Sequence, residues 1–303
     1  MRNYLRKSAI GAVLLSVALV AAACGSGDGA GAKEGPTITV GSANFSENAL
    51  LAEIYAQALE NAGYRVQRNL NVGNREVYFA ALESGDLSLV PEYVGTVTTF
   101  LGGSASSDSD ATYQTLLGLL GDKGLTAASY ASAQDKNGIV VRKDTADEFG
   151  LSKVSDLAQY NGQFIFGGPP ECPNREFCLI GLQDVYGLQF ADFKPLDVGG
   201  PLTVAALEGD EIQVALLFTS DGVIAAKGFV LLDDDKGLQP AENVTPVLRK
   251  DIVDAYGDDL IAVLDAVSAK MTTEELTALN KRVGFDGEDP DAVATDWLAA
   301  NVG

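Results

Sequence analysis

Two similar segments of the sequence could form the two halves of one binding site. Residues 82–96 contain a predicted helix end, a Gly-Asp turn and a short apolar strand, and then present Tyr93 and Thr96. Residues 206–218 repeat this order and end on Phe218. Ligands of open α/β sheets bind beyond the carboxyl ends of the strands, so one ring from each segment could face a shared ligand. The alternative is that Tyr93 only packs the rim of its own sheet.

The side chains available favour binding over catalysis. The sequence contains no His, which excludes Ser-His-Asp and Cys-His catalysis and removes the commonest transition-metal ligand. The acidic run at residues 233–235 lacks the Gly and Glu spacing of a calcium loop and is predicted to be a solvated turn. We therefore expect a protein that is not an enzyme and that needs neither a metal nor a cofactor.

The start of the chain has the features of an export signal. Basic residues precede an apolar stretch at residues 9–20, three alanines and Cys24, and a Gly-rich segment follows. This order is typical of a secretory signal, and Cys24 after three alanines resembles the acylated Cys of bacterial lipoproteins. We predict a signal peptide at residues 1–23, lipidation at Cys24 and a flexible tether at residues 24–36. The alternative is a secreted protein in which Cys24 occurs there by chance.

Charge and cysteine content limit the partners and the compartment. Removal of residues 1–23, which carry three basic and no acidic side chains, changes the formal net charge from −21 to −24. Such a chain repels nucleic acid and anionic membranes, so we expect membrane contact through the lipid alone and a monomer that binds a small molecule. The remaining Cys172 and Cys178 form an even pair in an exported chain, which indicates a disulfide; two free thiols are the alternative.

Strands and helices must place these residues at one cleft. Strands alternate with helices in two blocks, and residues 251–301 are predicted to be helical. We predict an α/β protein in which residues 37–136 plus 245–303 form lobe 1 and residues 137–244 form lobe 2. Two lobes joined by two crossings around a ligand cleft, with a helical C-terminal tail, are the architecture of a hinged ligand-binding protein.

The loop after the first predicted strand is a second candidate for ligand contact. Ser42 and Asn44 lie in this loop, and Ser46 is predicted to cap the helix that follows. Free N–H groups and the positive dipole end at the start of a helix could hold a carboxylate beside these residues. The alternative is that they only cap the helix.

Motifs along nearly the whole chain after the signal resemble the substrate-binding proteins of ABC importers for glycine betaine, carnitine, choline and related osmoprotectants. The motifs are Gly41–Asn48 (GSANFSEN), Val90–Thr96 (VPEYVGT), Pro169–Cys172 (PPEC), Tyr186–Leu188 (YGL), Phe218–Gly222 (FTSDG) and Leu232–Lys236 (LDDDK). The resemblance implies a type II periplasmic-binding-protein-like fold. It also implies that the chain captures a solute outside the cytoplasm and delivers it to a membrane permease driven by a separate ATPase subunit.

The resemblance also implies which residues contact the ligand. In that family aromatic side chains of both lobes enclose a quaternary ammonium group, and Tyr93 and Phe218 match two of those positions. The matching polar positions are Ser42, Asn48 and Thr96, and Thr219 follows Phe218 in its motif. The family's two other tyrosines are missing, and the segments that correspond to them contain Asp135 and Glu242.

Because two aromatic rings are missing, the sequence does not identify the ligand. A cage reduced to two rings should lose about 0.5–2 kcal/mol per missing ring, which would weaken or redirect binding. We expect an extracytoplasmic, membrane-anchored lipoprotein that binds an osmoprotectant-like solute. One alternative keeps the transport role with another ligand, either a choline-like cation held by Glu242 or an aromatic or polyol compound stacked on Tyr93. Another alternative is an enzyme or a receptor built on the same fold.

Overall fold

The fold is built on two mixed β-sheets. The computed structural model describes residues 33–303, so the predicted signal peptide and Cys24 lie outside the described residues. The strands are β1 Ile38–Ala43, β2 Val66–Gly73, β3 Leu89–Tyr93, β4 Leu125–Ala127, β5 Asn137–Val141, β6 Ile165–Gly168, β7 Asp192–Pro195, β8 Val214–Phe218, β9 Val230–Leu231 and β10 Val244–Arg249. Sheet 1 has the order β2-β1-β3-β10-β4, and sheet 2 has the order β7-β6-β8-β5-β9.

Helices flank both sheets and form the C-terminal end of the chain. The α-helices are α1 Ser46–Asn61, α2 Arg75–Ser84, α3 Val94–Phe100, α4 Ser109–Gly121, α5 Lys143–Phe149, α6 Gly181–Asp184, α7 Pro201–Glu208, α8 Gly222–Lys227, α9 Lys250–Tyr256, α10 Asp258–Ser268, α11 Thr273–Asn280 and α12 Pro290–Asn301. Short 3₁₀ helices (Val154–Tyr160, Cys172–Asn174) and π turns (Glu176–Ile180, Lys281–Phe285) complete the list. Within residues 33–303, none of the helices is long and apolar enough to cross a membrane.

The central strand of sheet 1, β3, carries Tyr93 at its carboxyl end. It pairs in parallel with β1 and antiparallel with β10, where Val244 lies opposite Tyr93. All five residues of β3 are buried, as expected for a strand covered on both faces. Gly85 ends α2 with a left-handed φ of 92°, which lets the chain turn back toward the sheet directly after the helix.

Strand β8 has the equivalent place in sheet 2 and ends on Phe218. Like β3 it is the third strand in its sheet, with a parallel neighbour (β6) on one side and an antiparallel neighbour (β5) on the other. Its first four residues are buried, whereas Phe218 is only partly buried. The two similar segments of the sequence are therefore equivalent in the fold as well.

The C-terminal helices return to sheet 1. Helices α10 and α12 pack against α1, and Trp297 and Leu264 belong to the same buried cluster as Leu50. The Asp289 side chain accepts the N–H of Asp291 (3.0 Å) and so caps α12, whose first residue is a proline. The α/β fold with a helical C-terminal tail confirms the predicted fold class.

Two crossings, between β4 and β5 and between β9 and β10, connect the sheets. Sheet 1 takes its strands from residues 38–127 and 244–249, and sheet 2 takes its strands from residues 137–231. These strand ranges support the lobe boundaries given above, which stay a prediction. The last residues of the predicted tether contact lobe 1, because Lys33 Nζ lies 4.5 Å from the ring centre of Tyr64.

Some predicted elements differ from the structure. Ser46 does not cap α1, because it is already the first helical residue; Phe45 holds the N-cap position, and no described side chain caps this helix start. The strand predicted near residues 196–198 lies at residues 192–195. It is an edge strand whose side chains are all partly or fully exposed, so hydropathy does not reveal it.

Candidate ligand-binding site

A cavity of about 650 Å³ lies between the two lobes. Side chains from lobe 1, from lobe 2 and from the crossings line it, as expected for a cleft beyond the carboxyl ends of β3 and β8. Of the nine ligand contacts predicted from the sequence, six line this cavity: Asn44, Tyr93, Thr96, Asp135, Phe218 and Glu242. The structure thus brings the two predicted rings and four predicted polar groups to one cavity.

The other three predicted contacts hold the surrounding loops. Ser42 Oγ accepts the N–H of Asn71 (2.7 Å) and donates to the carbonyl of Ala43 (2.9 Å). Asn48 is almost fully buried; it accepts the N–H of Ala43 (2.7 Å) and donates to the carbonyl of Pro91 (3.0 Å). Thr219 Oγ1 accepts the N–H of Lys136 (2.8 Å). These bonds fix the backbone around β1, β3 and β8, so the three side chains serve the loops that carry the site.

Three aromatic rings from both lobes meet at the cavity. Phe45, in the loop before α1, lies with its ring centre 5.4 Å from that of Phe218 and 6.2 Å from that of Tyr93, and both pairs are stacked. Phe45 therefore bridges the ring of lobe 1 and the ring of lobe 2. The sequence analysis missed it, although an aromatic residue directly after Asn44 in the loop beyond β1 was a signal of the same kind as Tyr93.

The hydroxyl group of Tyr93 is bound within the protein. It donates a hydrogen bond to Glu47, which lies in the first turn of α1 and is buried. The same carboxylate accepts hydrogen bonds from Ser220, in the loop after β8, and from Asn280, at the end of α11. This network therefore joins lobe 1, lobe 2 and the C-terminal helices beneath the aromatic rings.

Two buried carboxyl groups in this network lie on either side of one hydroxyl group. Ser220 Oγ lies 2.5 Å from Glu47 Oε2 and 2.7 Å from Asp135 Oδ1. One hydroxyl hydrogen cannot serve two carboxylates, so one of the two groups must be protonated. Burial raises the pKa of Asp135, and the charge of Glu47 raises it further. Burial also raises the pKa of Glu47, against the effect of its hydrogen-bond donors.

An ion pair lies on the lobe 1 side of the cavity. Arg75, the first residue of α2, binds both oxygens of the buried Glu92 carboxylate (2.9 Å each) and donates to Thr96 Oγ1 (3.0 Å). The hydroxyl of Tyr78 adds a bond to the same carboxylate (2.8 Å). The charge of Arg75 is thus neutralised by Glu92 in a bidentate geometry.

Beside this pair, the buried Glu242 also lines the cavity. Its Oε2 accepts the backbone N–H groups of Gly95 (3.1 Å) and Thr96 (3.0 Å). Its Oε1 is buried and has no hydrogen-bond partner among residues 33–303. Burial raises the pKa of Glu242 to about 8, although the N–H of Thr96 and the charge of Arg75 act in the opposite direction.

A disulfide loop of lobe 2 closes the other side of the cavity. Cys172 and Cys178 are joined with a Cα separation of 5.3 Å, as the sequence predicts, and both are buried. Arg175, between them, forms a salt bridge from its Nη2 to Glu76 Oε1 of α2 (2.7 Å). The loop therefore contacts lobe 1 across the cleft. Within the described part of the chain, no group of three or more His, Cys, Asp or Glu side chains could hold a metal ion.

The two sheets, the crossings and the cleft lined by rings of both lobes define a type II solute-binding protein of an importer. The family described as the substrate binding domain of the ABC-type glycine betaine transport system matches residues 36–300, so the chain belongs to this family. It is therefore a substrate-binding protein of the osmoprotectant ABC importer class.

Similar proteins support this assignment. The glycine betaine-binding protein YehZ of Escherichia coli (strain K12) is 28% identical over 273 residues, which cover 86% of this chain and 89% of that protein. A glycine-betaine-binding protein of Pseudomonas aeruginosa is 28% identical over 288 residues, which cover 91% of each protein. The crystal structure of a glycine betaine/carnitine/choline ABC transporter protein, 23% identical, covers 88% of this chain and 97% of its own with a TM-score of 0.69, which shows a shared fold.

Proposed function

We propose that this chain is the extracytoplasmic lipoprotein subunit of an ABC importer and that it captures a small quaternary ammonium solute of the glycine betaine, choline or carnitine class in the inter-lobe cleft. The observation that carries the proposal is the meeting of Phe45, Tyr93 and Phe218 at a cavity of about 650 Å³ between the lobes. A methylated ammonium group has no hydrogen to donate, and ring faces attract such a cation.

The charges around the rings favour the same ligand class. Glu47 lies directly behind Tyr93 and accepts hydrogen bonds from Tyr93, Ser220 and Asn280. Because the Tyr93 hydroxyl is already bonded to Glu47, the ring face is the part of this side chain that the ligand meets. A cation on that face gains from the ring quadrupole and from the carboxylate behind it.

The proposed polar contacts to the ligand are Asn44, Thr96, Asp135 and Glu242, which all line the cavity. We assign Ser42, Asn48 and Thr219 to the positioning of the loops because their polar atoms bind the backbone. The protein is not proposed as an enzyme, since the family consists of transport proteins and the sequence has no His.

Export and membrane attachment are proposed from the sequence. The basic start, the apolar stretch and Cys24 support cleavage after residue 23 and acylation of Cys24, with lobe 1 following the Gly-rich tether. We propose that the monomer delivers its solute to a permease driven by a separate ATPase subunit. Mass spectrometry of the membrane-extracted protein should find a diacylated or triacylated N-terminal Cys; an intact signal peptide or cleavage elsewhere would contradict the anchor.

A ligand screen tests the function. The mature protein should be stabilised against heat by at least one of glycine betaine, choline and carnitine, and calorimetry should then give a stoichiometry of about one. Sugars and uncharged aromatic compounds serve as comparison solutes. Stabilisation by these compounds alone, with no response to any quaternary ammonium solute, would refute the proposed ligand class and leave the family assignment intact.

A further inference from the structure

We propose that Glu242 forms an anionic subsite beside the aromatic rings, and that the cleft selects solutes of net positive charge over zwitterions with the same ammonium head group. The second polar group of the preferred solute donates a hydrogen bond to Glu242 Oε1. This inference rests on the proposed function, because it assumes that the ammonium group lies against the three rings.

The first observation is that Glu242 Oε1 has no hydrogen-bond partner in the described part of the chain. The Glu242 side chain is held rigidly, because Oε2 accepts two backbone N–H groups from the start of α3. Only 2% of the residue is exposed, yet Oε1 has no partner in the described part of the chain and the residue lines the cavity. A buried polar atom without a partner is costly, so a ligand that supplies the missing hydrogen bond would gain affinity.

The second observation is the position of Glu242 relative to the rings. Val244 lies opposite Tyr93 in the antiparallel pair of β10 and β3, so Glu242 lies just beyond the end of β3. Its carboxyl group binds the N–H of Gly95, two residues after Tyr93. Glu242 and the three rings therefore lie near the same end of β3 and line the same cavity.

The third observation is the balance of charge around the cavity. The two cationic side chains among the described lining residues, Arg75 and Arg175, are each paired with a carboxylate, Glu92 and Glu76 respectively. The charged side chains that act on Glu242 are Arg75 from α2 and Glu92 from β3. Tyr78 and Asp135 are further titratable groups that line the same cavity. The carboxylate of a zwitterion would meet cations that are already neutralised, and it would lie near Glu242.

This arrangement predicts that a cation releases the proton of Glu242 when it binds. In the empty cavity burial raises the pKa of Glu242 to about 8, so the group is largely protonated at pH 7. A bound cation stabilises the ionised form, so binding at pH 7 displaces the proton. A bound zwitterion presents its carboxylate and favours the protonated form instead. The sign of the proton exchange therefore distinguishes the two ligand classes independently of affinity.

Choline and glycine betaine are the matched probes, because they share a trimethylammonium group and differ in a hydroxyl or a carboxylate. Calorimetry at pH 7 in buffers of different ionisation enthalpy measures both affinity and proton exchange. We expect choline to bind about tenfold or more tightly than glycine betaine and to release protons. Its affinity should rise several-fold between pH 6 and pH 8.5, while the affinity for glycine betaine should stay constant or fall.

Glu242→Gln keeps the shape of the side chain and removes its charge. It should abolish the proton release and the pH dependence and reduce the preference for choline to within about threefold. Glu242→Asp keeps the charge and should retain part of the preference for choline. It provides a second test if the Gln variant folds poorly. Glu148→Gln, at an exposed acid of α5, is the matched control and should bind like the wild type.

The outcomes separate this inference from the proposed function. Equal or tighter binding of glycine betaine by the wild type, without proton release on choline binding, would overturn the Glu242 subsite while the quaternary ammonium cleft stands. Unchanged selectivity in folded Glu242→Gln would overturn it as well. No binding of either probe, or of carnitine, would instead refute the proposed function on which the inference rests.

Discussion

At the scale of single residues, Tyr93 offers its ring and its hydroxyl to different partners. The hydroxyl donates to the buried Glu47, while the ring lines the cavity next to Phe45. The ring and the hydroxyl can therefore be removed separately by mutation. A ligand that uses the ring face does not need the hydroxyl, whereas the folded protein needs the hydroxyl to satisfy Glu47.

We predict that Tyr93→Ala weakens binding of a quaternary ammonium ligand by about 1–2 kcal/mol, because a ring face is lost. Tyr93→Phe should keep affinity within about twofold and instead lower the free energy of unfolding by about 1–2 kcal/mol, because Glu47 loses a donor. Calorimetry and urea unfolding measure the two effects. If Tyr93→Ala binds normally and its circular dichroism is unchanged, the ring is not part of the site.

Glu242 also predicts how stability depends on pH. Its pKa is raised from 4.5 to about 8 by burial, so the folded state holds a proton that the unfolded state releases above pH 4.5. The stability contributed by this proton is present below about pH 4.5 and is lost as the pH rises through about 8. The fold therefore loses stability between about pH 4.5 and pH 8, and the loss levels off once Glu242 ionises in the folded protein.

The variant Glu242→Gln should remove this dependence. The difference in free energy of unfolding between the variant and the wild type should grow by about 3–5 kcal/mol in favour of the variant from pH 4.5 to pH 8.5. The reason is that the amide does not ionise. Urea unfolding across this pH range measures the difference. Parallel pH profiles for the two proteins would show that Glu242 ionises in the folded protein as it does in the unfolded chain.

At the scale of elements, a close approach between α3 and the second crossing positions Glu242. A Cβ atom built on Gly95 would lie 2.5 Å from Pro240 Cγ and 2.8 Å from the carbonyl oxygen of Ala241. Only glycine allows the crossing to approach this closely, and the approach brings the Glu242 carboxyl group to the N–H groups of α3.

Gly95→Ala should therefore push the crossing away from α3. We expect a loss of about 1–3 kcal/mol in the free energy of unfolding and a weaker affinity for choline, because the contacts of Glu242 are displaced with the backbone. Gly118→Ala in α4 is the matched control, since its Cβ would meet nothing within 4 Å. The control should stabilise the protein by about 0.5–1 kcal/mol. If Gly95→Ala is as stable as the wild type, the crossing can move away from α3 without a loss in the free energy of unfolding.

The sequence predicted the elements with strong patterns and missed those that depend on tertiary contacts. The apolar spacing of residues 75–84, which ends at a glycine, predicts a helix over these residues, and α2 has the same bounds. Helix α3 was missed, since Val94–Phe100 is rich in β-branched residues and follows a strand without a break. Its observed conformation depends on Gly95 and on the buried Glu242, which are distant in the sequence.

The same distinction holds within the site. Tyr93 and Phe218 could be predicted because two similar segments repeat one local pattern. Ser220 and Asn280 could not, because they reach Glu47 from positions 173 and 233 residues further along the chain. Local spacing carries no information on such contacts, so the network that joins Glu47 and Asp135 is visible only in the folded protein.

At the scale of the whole molecule, direct contacts cross the cleft between the lobes. Phe45 of lobe 1 stacks on Phe218 of lobe 2, and Arg175 of the disulfide loop reaches Glu76 of α2. A hinged binding protein releases its solute by separating such contacts, so they should affect the dissociation rate more than the association rate. Salt should weaken the ion pair and spare the ring contact.

The Arg175 and Glu76 pair allows this expectation to be measured. Its side chains are 26% and 51% exposed, so the pair should contribute about 0.2–1 kcal/mol to closure. Arg175→Gln should therefore raise the dissociation rate of a bound solute by about fivefold at most, and the difference should shrink in 0.5 M salt. Stopped-flow measurements on both single variants and on the double variant with Glu76→Gln give the coupling energy directly. Lys143→Gln, which breaks an exposed pair within α5, should leave the rate unchanged.

If the coupling energy is zero, or if the effect appears in the association rate, then Arg175 does not act across the cleft. The stacked rings and the Glu47 network would then hold the lobes together without it.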